Sequence, residues 1–152
     1  MKVFIGADHR GFALKQKISE ILKKQGYSVE DVGTYVPDEP CDYPKMAYAV
    51  ATGVASSKGA RGILVCMTGI GHTIAANKVP GVYAALCYNK EAAALSRRHN
   101  NANVLVLGAK FVGESAMFEI IKVWLAAEFE GGRHLRRVKQ IKAIEQKFLK
   151  KK

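Results

Sequence analysis

Five short apolar runs alternate with longer segments through the first 108 residues of the chain. The runs are KVFIG (2–6), YSVEDV (27–32), RGILVC (61–66), GVYAALC (81–87) and NVLVLG (103–108). Several of them lack the polar alternation of a half-exposed strand, which indicates strands that are buried on both faces. Such strands are typical of parallel sheets that helices cover on both sides.

The longer segments carry apolar residues at helical spacing. In FALKQKISEILKKQG (12–26) these residues are Leu14, Ile18, Ile21 and Leu22, and Gly26 closes the pattern. Two further helices are predicted after the last strand, at about 114–127 and 133–150, and the glycines of EGG (130–132) separate them.

Alternating strands and helices predict an α/β fold with right-handed crossovers. We expect a single three-layer α/β/α Rossmann-like domain over residues 1–152, with a parallel sheet of about five strands and a basic C-terminal helix at 133–152. A length of 152 residues and a hydrophobic content of 49% suffice for one substantial core. In such folds, ligands bind at the carboxyl ends of the strands.

The composition bears on where the protein works. No apolar run approaches the roughly 20 residues of a membrane-spanning helix, and the first ten residues meet a charge too early for a signal peptide. We expect a cytoplasmic protein without a membrane partner. Cys41, Cys66 and Cys87 are odd in number and widely spaced, so we interpret them as free thiols.

The net charge of +11 is concentrated at one end of the chain. Residues 133–152 contain nine Lys or Arg against one Glu, a net +8. Such a segment is typical of a solvated helix face, of a nucleic-acid contact, or of arginines that hold one small phosphorylated substrate. The tyrosines are scattered and do not interleave with the basic residues, which disfavours the nucleic-acid alternative.

Cys66 stands at the predicted carboxyl end of the third strand, directly before the glycine-containing turn 67–71. Successive backbone N–H groups and a helix N-terminus in this turn would form a receptor for an anion or a developing oxyanion. The same field is expected to lower the pKa of the Cys66 thiol. The alternative is a buried structural cysteine, as Cys87 is at the end of the next strand.

Two familiar motifs fail in this chain. GIGHTI (69–74) has Ile74 where the third glycine of a dinucleotide fingerprint belongs, and no P-loop sequence is present. The four histidines show no metal-binding spacing, so a metal site would have to assemble entirely in three dimensions.

Other polar residues lie at predicted strand ends. Asp8 and His9 follow the first strand, where Asp8 is either a helix N-cap or a ligand-binding group. His99 and Asn100 precede the fifth strand, at the end of the sheet opposite Cys66. Within one subunit these two pairs would not meet.

Five segments together carry a family resemblance: GADHRGFALK (6–15), DYP (42–44), ILVCMTGIGHTIAANK (63–78), LSRRHNNANVLVLG (95–108) and GGRHLRRV (131–138). In this order and spacing the chain resembles the type B ribose-5-phosphate isomerases and the related allose-6-phosphate and galactose-6-phosphate isomerases. The resemblance spans nearly the whole chain and is more specific than any single segment.

The resemblance implies an aldose–ketose isomerase that interconverts D-ribose 5-phosphate and D-ribulose 5-phosphate through an enediolate, without a cofactor or metal. It implies Cys66 as the proton-transferring base, Thr68 as its assistant at the substrate oxygens, and His99 as the group that opens the sugar ring. The implied substrate-binding residues are Asp8, His9, Tyr43, Met67, Gly69, Gly71, Asn100, Lys110, Arg133, His134 and Arg137. Among these, His9, Arg133 and Arg137 would hold the phosphate, with His134 as a weaker candidate.

The resemblance also implies a homodimer with a shared site, because His99, Asn100 and Lys110 would come from the neighbouring subunit; a tetramer stays open. Met67 and Lys110 stand where the family usually has glycine and arginine. His72 is a further departure, which would either add a titratable group beside the turn or face solvent or the subunit interface. The alternatives are therefore a hexose-6-phosphate isomerase and, more remotely, a phosphosugar-binding subunit with impaired catalysis.

Overall fold

The computed structural model describes residues 1–37 and 39–149. The strands are β1 (Lys2–Ala7), β2 (Ser28–Asp31), β3 (Arg61–Cys66), β4 (Ala84–Leu86) and β5 (Val104–Gly108). The helices are α1 (Phe12–Lys24), α2 (Tyr43–Ser56), α3 (Ile70–Ala76), α4 (Lys90–Asn100), α5 (Glu114–Ala126) and α6 (Gly132–Leu149), and His9–Gly11 form a 3-10 turn. Each predicted strand is present, with the fourth shortened to three residues. Positions 150–152, the end of the predicted basic C-terminal helix, lie outside the described residues.

All five strands are parallel and lie in the order β2-β1-β3-β5-β4, which confirms the predicted α/β architecture. In the register of the sheet, Ile63 of β3 pairs with Ile5 of β1 on one side and with Leu105 of β5 on the other. The strand order reverses between β1 and β3, because the chain leaves β1 toward β2 and returns to β3 on the opposite side. The carboxyl ends of β1 and β3 therefore flank the switch point where open α/β sheets bind ligands.

Helices cover both faces of this sheet. On one face α1 and α5 bury Ile18 and Trp124 against the strands, and on the other α2 and α3 bury Val50 and Ala76. Ile21, one of the four apolar residues at helical spacing in α1, is 37% exposed and lines the groove between α1 and α5.

One buried ion pair fixes the segment beside the switch point. The ammonium of Lys15 on α1 has no solvent exposure and donates to both carboxylate oxygens of Asp31 at 2.6 Å and to the carbonyl of Thr34 at 2.7 Å. The N–H of Ala7 donates to the carbonyl of Gly33, and the N–H of Thr34 donates to the carbonyl of Ala7. These hydrogen bonds extend the β1–β2 pairing beyond Ile5 and Asp31, the last paired residues of the two strands.

Helix α6 is largely exposed along its length and contacts α4. Glu145 in its last third accepts a hydrogen bond from the N–H of Gly81 at 3.0 Å. Within the described part of the chain, none of the helices combines the length and the apolar character that crossing a membrane requires.

Candidate active site

Cys66 and Asp8 meet at the switch point. The Cys66 thiol lies 3.4 Å from Oδ2 of Asp8, to which it donates a hydrogen bond, while Oδ1 of Asp8 accepts from the N–H of Gly11 at 3.0 Å. Both side chains are buried, with 8% and 7% of their surface exposed. Asp8 therefore serves as the cap of the 3-10 turn, as one of the two alternatives drawn from the sequence expects, and its carboxylate also faces the thiol.

The environment of Cys66 raises the pKa of its thiol. Burial is the largest cause, and the neighbouring Asp8 carboxylate raises the pKa further through its charge and its hydrogen bond. The backbone N–H groups of Gly69 and Thr68 face the sulfur and act in the opposite direction, but they do not compensate. The prediction of a lowered thiol pKa is therefore wrong, because the sequence shows the turn and not the depth at which it is buried.

The turn after Cys66 is built on its glycines. Gly69 has a φ of 82°, and a Cβ at this position would lie 2.5 Å from Cδ1 of Leu86. A Cβ on Gly71 would lie 2.6 Å from the ring of Tyr43, the first residue of α2, which thus packs directly against the turn. Met67 is not among the residues with a positive φ, and its side chain is half-buried.

His72 lies behind this turn and is completely buried. Its ring packs edge-on against Tyr43, with 5.8 Å between the centroids, and neither ring nitrogen makes a hydrogen bond to the described residues. Burial lowers the pKa of His72 to about 4, so the imidazole is neutral near pH 7. The alternative that His72 faces solvent is therefore wrong for this chain.

Two more predicted ligands lie at the same edge of the sheet. His9 belongs to the 3-10 turn after β1, and its Nδ1 accepts a hydrogen bond from the N–H of Cys41 at 3.5 Å. The backbone N–H of Lys110 donates to the carbonyl of Met67 at 2.8 Å. Lys110, which the resemblance expects from the neighbouring subunit, therefore lies beside the turn of its own chain, with an exposed side chain.

The remaining predicted residues form a second cluster, which is not at this edge. His99 and Asn100 end α4, just before β5 begins, whereas Cys66 pairs with Gly108 at the far end of β5. The 11 residues of α4 span about 16 Å between the two edges. Within one chain, the structure does not bring His99 to Cys66.

Helix α6 joins the second cluster. The ring of His134 stacks on that of His99 with 4.0 Å between centroids and 5° between planes. Burial is the largest cause of the lowered pKa of His134. Arg133 and Arg137 are exposed on the first turns of α6, and their nearby positive charges lower this pKa further. The predicted phosphate ligands are thus divided, with His9 at one edge and the two arginines at the other.

Glu130 completes this cluster and was missed in the sequence, where EGG indicated only a break between helices. Its Oε2 lies 3.7 Å from Nε2 of His99 and 3.7 Å from Nε2 of His134. Arg98 binds its Oε1, and the N–H of Glu130 donates to the carbonyl of Arg98 at 3.0 Å. The ligand atoms of His99, Glu130 and His134 lie within 4.8 Å of one another, so metal-ligating groups do assemble in three dimensions.

Comparison with known proteins identifies the family. Residues 3–141 match the model of a family described as Ribose/Galactose Isomerase. The chain belongs to this family. The ribose-5-phosphate isomerase B of Escherichia coli K12 is a relative with 46% identity over 146 residues, which cover 96% of this chain and 97% of the relative.

Solved structures of the same family superpose closely. Ribose-5-phosphate isomerase B of Clostridium thermocellum has a TM-score of 0.94 and 49% identity, over 97% of this chain and 99% of that one. The enzyme of Mycoplasma genitalium, solved with bound ribulose-5-phosphate, has a TM-score of 0.92 and 46% identity, over 95% and 96% of the two chains. The family resemblance identified in the sequence is confirmed.

Proposed function

We propose that this protein is an aldose–ketose isomerase that interconverts D-ribose 5-phosphate and D-ribulose 5-phosphate. The observation that carries the proposal is the buried thiol of Cys66, which faces both Asp8 and the amides of the following turn at the switch point of the sheet. The ribose-5-phosphate isomerase B of Escherichia coli and the bound ribulose-5-phosphate in the Mycoplasma genitalium structure support the same substrate.

Cys66 is the base in this proposal. Isomerisation moves a proton between C1 and C2 through an enediolate, so it needs a base beside a weakly acidic C–H and donors for the developing oxyanion. Burial makes the thiolate scarcer but also more basic once it forms, which suits a weakly acidic proton. Thr68 and the amides of the turn lie beside Cys66, where they would bind the substrate oxygens.

The other half of the site comes from a second subunit. Family resemblance assigns ring opening to His99, and the register of the sheet separates His99 from Cys66 of the same chain. We therefore propose a homodimer in which His99 and Asn100 of one subunit complete the Cys66 site of the other. Arg133 and Arg137 lie with His99, so they would reach the substrate phosphate from the same partner and meet His9 there.

Helix α6 supports this assembly. Besides its arginines it exposes apolar side chains, with Leu135 42%, Ile141 44% and Ile144 57% exposed. Exposed apolar residues on one helix are typical of a surface that a partner covers. We propose a second copy as that partner and propose the cytoplasm as the location, without a nucleic-acid partner for the basic end.

The deciding experiment measures turnover by the purified, EDTA-treated protein with ribose 5-phosphate, and with allose 6-phosphate and galactose 6-phosphate in parallel. We expect turnover of ribose 5-phosphate. We expect Cys66→Ser to keep the fold and phosphosugar binding but to lose most of this turnover. Preference for a hexose 6-phosphate would support the alternative that Met67 motivates. Equal activity of Cys66→Ser and the unmodified protein would remove the thiol from the mechanism.

A further inference from the structure

The cluster around Glu130 has a definite arrangement. Arg98 holds one oxygen of the carboxylate, and the other oxygen lies 3.7 Å from an Nε2 of each stacked imidazole. Arg98 thus holds Oε1 of Glu130, and Oε2 of Glu130 faces the His99–His134 pair.

The arrangement fits a chelated metal poorly. The two rings are stacked and parallel to within 5°, so the lone pairs of their Nε2 atoms lie in two separate, nearly parallel planes. Ligands of one metal ion must instead converge on a point about 2 Å from each nitrogen. Arg98 also occupies the carboxylate, which leaves a single oxygen facing the rings.

The charges around the pair explain what the carboxylate does. Besides Glu130, the charged groups that the structure places near His134 are Arg133 and Arg137 on α6, while Arg98 on α4 binds Glu130 itself. All three are cationic, and two stacked imidazolium ions would also repel each other. Glu130 is the carboxylate that faces the stacked pair among these cations, so it is the counter-charge available to a proton that passes through the pair.

We propose that Glu130 is a positioning residue for ring opening: anchored by Arg98, it keeps His99 stacked on His134 and stabilises the proton that His99 delivers. The inference rests on the proposed isomerase function. When ribofuranose 5-phosphate opens, the anomeric hydroxyl loses a proton, the bond between C1 and the ring oxygen breaks, and the ring oxygen gains a proton. One group must supply that proton, and His99 can do so only while it is protonated and correctly oriented.

The chemistry of the two substrates isolates this step. Ribulose 5-phosphate has its terminal hydroxyl esterified, so it cannot close a five-membered ring and enters the site as an open chain. Turnover of ribose 5-phosphate needs ring opening. Ribulose 5-phosphate reaches the enediolate without it, and the open-chain ribose 5-phosphate that then forms can leave the site and close its ring in water. A group that acts only on ring opening therefore affects the two values of kcat unequally.

The test compares kcat in both directions for Glu130→Gln, with Glu128→Gln as the matched control in the same exposed segment. Because general acid catalysis is worth about 10²–10⁴-fold, we expect Glu130→Gln to lower kcat for ribose 5-phosphate about tenfold and kcat for ribulose 5-phosphate less than about twofold. Arg98→Gln should act in the same direction with a smaller loss, and it serves if Glu130→Gln does not fold.

A second readout does not depend on turnover. Side-chain ¹⁵N NMR of the histidines should show changed ring signals for His99 and His134 in Glu130→Gln and unchanged ones in Glu128→Gln. Equal losses in both directions, or no loss in either, would overturn the positioning role. Absence of turnover by the unmodified protein with either pentose phosphate would instead overturn the proposed function, and this inference with it.

Discussion

The thiol of Cys66 donates a hydrogen bond to Oδ2 of Asp8 across 3.4 Å, although 58 residues separate the two in the chain. The contact exists because β1 and β3 are adjacent parallel strands whose carboxyl ends meet. It places a carboxylate beside the proposed base and opposes ionisation of that base.

Asp8→Asn should make Cys66 more reactive at neutral pH. The carboxylate raises the pKa of the thiol, and its removal leaves the amides of Gly69 and Thr68 to stabilise the thiolate. We expect alkylation of Cys66 by iodoacetamide at pH 7, followed by mass spectrometry, to become several-fold faster, while Cys41 keeps its rate. An unchanged or slower rate at Cys66 would contradict the electrostatic role of Asp8.

Mixing two inactive variants should restore activity if the site is shared. In a heterodimer of Cys66→Ser and His99→Asn chains, one site carries both substitutions and the other carries neither. Random exchange makes half of the dimers mixed, so we expect about one quarter of the unmodified activity after subunit exchange, against almost none for either variant alone. A mixture that stays inactive although heterodimers form would place Cys66 and His99 in the same chain's site.

Gly69→Ala should be more damaging than Gly59→Ala. Both glycines have a positive φ, of 82° and 77°, but a Cβ on Gly69 meets Leu86 at 2.5 Å whereas one on Gly59 meets nothing within 4 Å. A left-handed alanine costs about 1–2 kcal/mol, and overpacking adds about 1–3 kcal/mol at Gly69 only. Urea unfolding should show this difference, and turnover should fall in Gly69→Ala alone; equal stability losses would contradict the packing argument.

His72→Leu should flatten the loss of stability in acid. The pKa of His72 is about 4 in the folded protein, against about 6.5 when unfolded, so the unfolded state takes up the proton first as the pH falls. Stability is therefore fully present above about pH 6.5 and is lost on the way to pH 4, by up to about 3 kcal/mol. Urea unfolding between pH 7 and pH 4.5 should show a shallower decline for His72→Leu, and parallel declines would contradict it.

The sequence by itself determined the elements and their order. The apolar runs, the helical stripe of α1 and the glycine-containing turn after Cys66 are local patterns, and local patterns report period, turn chemistry and element type. The same locality left the exposure of Ile21 undecided, since an apolar stripe shows which side of a helix is apolar and not how far a neighbouring helix covers it. The sequence was also sufficient to identify the family, because five characteristic segments occur in the expected order and spacing.

Only the tertiary structure decided the properties that depend on what each side chain meets. Burial against Asp8 reversed the expected pKa shift of Cys66, and complete burial made His72 a neutral group behind the turn. The contacts of Glu130 with Arg98 and the stacked histidines also depend on the tertiary structure, because the segment after α5 lies against α4 and α6. Desolvation and Coulomb interactions act through space, so no spacing along the chain encodes their strength.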